Sequence, residues 1–104
     1  MSVKVELSEL GEAMGRHDYA FLVCLDEERP HVLGVRPRLD DDRLVVDRIG
    51  ATATRLVGER GGVTLVFPAR EAGDRSLIVD GTVVQVGDGE LVVTPVGAVL
   101  HRPA

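Results

Sequence analysis

Val63-Thr64-Leu65-Val66-Phe67-Pro68 is a short apolar run released by Gly61-Gly62 and stopped by a proline. A polar loop over 69–74 follows, and then a long strand from Ser76 to Val86. Asp88-Gly89 is a strong hairpin signal, and it turns that strand into Leu91-Val92-Val93-Thr94. Three successive strands joined by turn chemistry point to an all-β architecture. Valine accounts for 18 of the 104 residues, and β-branched side chains suit a pleated, half-buried surface.

Working back from this stretch, residues 19–25 read as a first strand and 31–38 as a second, separated by the charged turn Asp26-Glu27-Glu28-Arg29-Pro30. Asp40-Asp41-Asp42 turns into a third strand, Arg43 to Arg48, which Gly50 breaks. Two short helices complete the pattern. In the first, Ser8 caps and Leu7 staples, with Leu10, Ala13 and Met14 on one face and His17-Asp18 at the end. The second runs from about Thr52 to Arg60, with Ala53, Leu56, Val57 and Arg60 on a common side. The expectation is one domain over 1–104: a mainly β, six-stranded antiparallel split barrel with one or two short helices.

Composition narrows the function classes. A net charge of −5 argues against nucleic acid, which wants a basic stripe. No stretch is apolar for near twenty residues and no basic-then-apolar leader is present, so a cytoplasmic protein without a membrane span is expected. The single cysteine, Cys24, lies in Ala20-Phe21-Leu22-Val23-Cys24-Leu25 and reads as a small core hydrophobe. His17, His31 and His101 stand far apart without metal-ligand spacing, so no metal site is expected. Neither Ser8 nor Ser76 sits in a nucleophile elbow.

Gly50-Ala51-Thr52-Ala53-Thr54-Arg55 carries more, because it joins a strand end to a helix N-terminus. Such a junction offers backbone N–H groups and a positive dipole end, and two hydroxyls with a guanidinium complete a phosphate cradle. The alternative is that Thr52 only caps the helix and Arg55 is solvated.

Three features share one register. Val63 to Pro68 is similar to a family strand ending in Phe-Pro. Gly50, thirteen residues before Val63, stands where that family has a phosphate-loop glycine, and Arg75-Ser76-Leu77-Ile78-Val79-Asp80-Gly81 matches its Arg-x-x-x-Val-x-Gly strand. On these residues the chain resembles the pyridoxamine 5′-phosphate oxidase-like family of FMN-binding split barrels, from about Pro30 to Gly81. The resemblance implies a homodimer holding FMN in two equivalent grooves between the copies. It assigns His31 and Arg36 to basic positions on the second strand, and Asp47 and Arg48 to the isoalloxazine edge. Ser76 falls on a glutamine that reaches the flavin from the other copy. Ala51-Thr52-Ala53 falls on the Ser-Arg-Lys phosphate clamp, so Thr52, Thr54 and Arg55 are left to bind the phosphate. Relatives of this type also use a deazaflavin or haem. Two functions follow: a flavin- or deazaflavin-dependent oxidoreductase of unidentified substrate, in which the cofactor supplies the chemistry, or a non-catalytic cofactor-binding module or ligand-free dimeric scaffold.

Overall fold

The computed structural model describes residues 2–103. Its strands are β1 (Ser2–Lys4), β2 (Ala20–Cys24), β3 (His31–Val35), β4 (Arg38–Asp40), β5 (Arg43–Asp47), β6 (Gly62–Phe67), β7 (Ser76–Gly87) and β8 (Glu90–His101). A 3₁₀ turn, Leu7–Glu9, leads into α1 (Leu10–Met14), and α2 spans Gly50–Arg60. Every strand pairing is antiparallel, in the order β3-β2-β6-β7-β8-β5-β4, with β1 added to the far end of β8. The sheet curls around one core, and β3 and β4 stand at its two ends. Only Arg36-Pro37 links them, so the barrel is split along that seam.

Eight strands replace the expected six, and proline explains two of the differences. Pro37 has no N–H to donate, so the strand expected over 31–38 ends at Val35 and a separate β4 begins at Arg38. The last strand does not stop at Thr94. It continues to His101 through a bulge, since Asp80 pairs with Gly97 while Gly81 pairs with Pro95, leaving Val96 over. The third difference is β1, whose residues are all exposed.

Alternation sorts each long strand into two faces. Leu22, Leu65, Val79 and Ala98 lie in one inward row across four strands. The opposite face carries Phe21, Val66, Ile78 and Val99 in the neighbouring row. Leu10 and Ala13 of α1 and Ala53, Leu56 and Val57 of α2 join the same core, as their spacing predicts, whereas Arg60, expected on the same side of α2, is exposed. Ser8, however, caps nothing: it lies within the 3₁₀ turn, and neither N-terminus there has a side-chain cap. The expected hairpin is present, with Asp88 and Gly89 at φ 53° and 76°, the left-handed pair that a two-residue turn between twisted strands requires.

Cys24 is fully buried on the inward face of β2, and burial pushes its thiol pKa up. A raised value in the fold means that the neutral thiol's contribution is complete below the ordinary thiol range. It is lost as pH climbs through that range toward the raised value. Native protein should therefore resist an aromatic disulfide reagent at pH 8 and react stoichiometrically in denaturant. Rapid labelling of the native form would show that β2 does not hold Cys24 in the core.

Candidate flavin groove at the barrel seam

The seam between β3 and β5 opens as a cavity of about 400 Å³ lined by Tyr19, Gly34, Val35, Arg36, Asp47 and Arg48. Three residues singled out in the sequence, Arg36, Asp47 and Arg48, thus meet in one place. Each is held by a different local device. Arg36 follows β3 on the side shared by Val32 and Gly34, and its Nη1 donates to the carbonyl of Asp18 at 3.1 Å. Asp47 closes β5 and accepts from Arg38 Nη1 at 2.6 Å, with Glu90 3.9 Å from the same guanidinium. Arg48 ends the strand by turning left-handed, φ 61°, while its N–H donates to Gly89 at 2.6 Å. Gly50, at φ 82°, completes the turn into α2.

The helix begins two residues earlier than the spacing predicts, so Thr52 lies inside its first turn. Ile49 is at the N-cap, and no side chain caps the first-turn N–H groups. Thr54 Oγ1 donates to the carbonyl of Gly50 at 2.6 Å, so its proton is directed back into the helix. Arg55 pairs with Glu59 at 3.6 Å, one turn on, and both are exposed.

His31 and Ser76 lie elsewhere. His31 starts β3 opposite Cys24, on the side of Leu33 and Val35 rather than of Arg36, and five residues of strand span about 17 Å. Ser76 starts β7 on the side of Ile78, where its Oγ accepts the Ala69 N–H at 3.3 Å. It therefore belongs to the outer face rather than to the seam.

Tyr19 is the residue that sequence reasoning missed. It meets Phe21 edge to face, with ring centroids 5.3 Å apart, and each is 37% exposed. Of the three aromatic residues only Phe67 is in the core. The signal was the two-residue spacing of Tyr19 and Phe21, which puts both on one side of β2. Among the described residues no group of three His, Cys, Asp or Glu side chains is placed to hold a metal, and no helix is long and apolar enough to cross a membrane.

The chain has the fold of the flavin-binding-type split barrels. It superposes on an FAD-binding protein of Mesorhizobium loti with a TM-score of 0.68 and 11% identity, covering 98% of each chain. A candidate 5-nitroimidazole resistance protein of Bacteroides thetaiotaomicron gives 0.66 at 14% identity, over 96% of this chain and 88% of the other. A candidate pyridoxamine 5′-phosphate oxidase of Listeria innocua gives 0.64 at 12%, over 88% and 92%. No family model matches. In sequence the chain is 34% identical to uncharacterised proteins of Mycobacterium bovis and Mycobacterium tuberculosis over 118 aligned positions, 97% of this chain and 82% of each relative. It belongs to the same family as those mycobacterial proteins.

Proposed function

We propose that the protein is a homodimer that binds FMN in the seam groove, the second copy covering the open side, and that it serves as a flavin-dependent oxidoreductase. The observation that carries this reading is a juxtaposition. Within the fold described above, the groove holding Arg36, Asp47 and Arg48 adjoins an apolar sheet face that includes Tyr19 and Phe21. An isoalloxazine ring is flat, largely apolar and edged with hydrogen-bonding groups, so it fits aromatic walls with a polar rim.

The residues present suit the cofactor in two parts. Tyr19 offers a ring edge and a hydroxyl beside the groove, while Arg36 and Arg48 offer guanidinium donors. The phosphate end would meet the uncapped first turn of α2 and the Thr52 hydroxyl, with Arg55 one turn along. Bound flavin supplies hydride chemistry from its own ring. The chain's part is to place that ring, keep water from one face of it and balance the charge along its edge.

One observation favours the second reading, a module or scaffold that no longer holds a phosphate. Ala51 and Ala53 stand at the clamp positions, and Thr54 spends its proton inside the helix. Titration with FMN, riboflavin and a deazaflavin separates the two. FMN should bind more tightly than riboflavin, and Arg55→Ala should weaken FMN alone by about tenfold to a hundredfold, the loss of one charge-assisted hydrogen bond. The fold should hardly respond, because Arg55 is exposed and its pair with Glu59 is a surface one. Equal affinity for riboflavin and FMN would remove the phosphate cradle. Failure of all three to bind would leave the scaffold.

A further inference from the structure

A second cavity, of about 340 Å³, lies at the end of the barrel where β7 begins and β8 ends. Arg16, Arg70, Arg75 and Arg102 line it together with His17, and Asp74 is the one acidic residue on its wall. Four of the chain's eleven arginines therefore meet in one place on a molecule of net charge −5. Arg16 pairs with Glu12 at 3.1 Å and Arg70 with Asp18 at 2.9 Å. Arg75 differs. Its Nε is buried with no hydrogen-bond partner, the only such side-chain atom among the described residues. Leaving a buried donor unpaired is unfavourable, and more so when the group is charged.

The ladder shows why this donor has gathered company. Ser76 pairs with His101 at the end of the β7–β8 ladder, and Leu77 faces Leu100 on the inward side. Arg75 precedes Ser76 and Arg102 follows His101, just beyond the last pair of the ladder, and both line the cavity. The backbone of Arg75 is fixed as well, because its carbonyl lies 3.0 Å from His17 Nε2, while His17 Nδ1 lies 2.9 Å from the carbonyl of Ala13. The end of α1 thus holds the arginine's main chain in place beside the cavity.

We infer that this barrel-end cavity is a binding site for a phosphate group, with Arg75 as its principal donor and Arg102 on the same wall. A phosphate oxyanion accepts from planar guanidinium groups in pairs, and a small turn of the Arg75 side chain would bring Nε–H onto one of its oxygens. The site is separate from the seam groove, since the two cavities share no lining residue. It does not depend on the flavin reading.

Isothermal titration of the full chain, without flavin and at fixed ionic strength, tests this with inorganic phosphate and with glycerol 3-phosphate, against chloride. Both phosphates should bind and chloride should not. Preference for the monoester would identify a phosphorylated metabolite as the ligand, and preference for inorganic phosphate would identify the free ion. Arg75→Gln should weaken phosphate binding at least tenfold and leave FMN titration as in the parent protein. If that variant does not fold, Arg102→Gln should show the same loss by itself. Phosphate heat no different from chloride, or unchanged affinity in whichever of these variants folds, would overturn the site.

Discussion

Gly81→Ala is expected to lower the melting temperature by about 10–20 °C, although it adds a single methyl group. A Cβ built at Gly81 would lie 2.2 Å from a methyl of Val93 and 3.1 Å from the Thr94 carbonyl oxygen. Val93 is fully buried and cannot swing aside, and the Thr94 oxygen is backbone. The clash falls where β7 and β8 change register, so relieving it means opening the bulge that bends both strands. Overpacking of this kind costs about 3 kcal/mol at the upper end of its usual range. Each kilocalorie is worth roughly 4–8 °C in a domain of this size. Gly87 gives the control, because nothing lies within 4 Å of a Cβ there. Thermal scans followed by circular dichroism should show Gly87→Ala near the parent and Gly81→Ala far below it. Coincident curves would mean that β8 does not approach β7 so closely at the bulge.

That same bulge marks where the fold stopped being readable from the sequence. Strands with strong turn signals on both sides were legible: β6 between Gly62 and Pro68, and the hairpin at Asp88-Gly89. Proline was legible as a stop but not as a bulge, so β8 was cut at Thr94 although it runs on through Pro95 and Val96 to His101. Ser2-Val3-Lys4 is exposed throughout and is held to β8 by the backbone ladder and a Ser2–His101 side-chain hydrogen bond, which leaves no hydrophobic signature. At the groove, Arg36, Asp47 and Arg48 were reached through a shared register with a known family. Tyr19 was missed because a run that is apolar along its whole length hides which side faces the core. The arginine cavity left no sequence signal, because Arg16, Arg70, Arg75 and Arg102 are scattered along the chain and come together only where β7 begins beside the end of β8.

The outer sheet face carries the largest functional expectation. Gly34, Phe21, Val66, Ile78 and Val99 form one row across five strands, and Val32, Val23, Thr64, Asp80 and Gly97 form the next. The two polar side chains of the second row bond to each other, Thr64 Oγ1 donating to Asp80 at 2.6 Å, so the row asks little of water. Val32 and Leu25 are more than half exposed beside it. An apolar surface of this kind is the one that the proposed homodimer would bury. A standard interface removes about 800 Å² per partner, roughly an eighth of the 6411 Å² this chain exposes. In a twofold pair the same row would meet itself, so one substitution enters the interface twice. Val66→Asp puts a carboxylate at the middle of the row, half-buried in one copy and desolvated in two. Desolvating an unpaired carboxylate is strongly unfavourable, so dimer association should weaken at least a hundredfold, about 2.7 kcal/mol. Sedimentation at micromolar concentration should then show the parent as a dimer and the variant as a folded monomer. FMN affinity should fall with it, because the groove loses the copy that covers it. Val84→Asp, at an exposed valine beside the other irregularity of β7, should leave both measurements unchanged. A Val66→Asp dimer of parental strength would exclude this face as the interface. A monomer that bound FMN as tightly as the parent would show that one copy completes the groove.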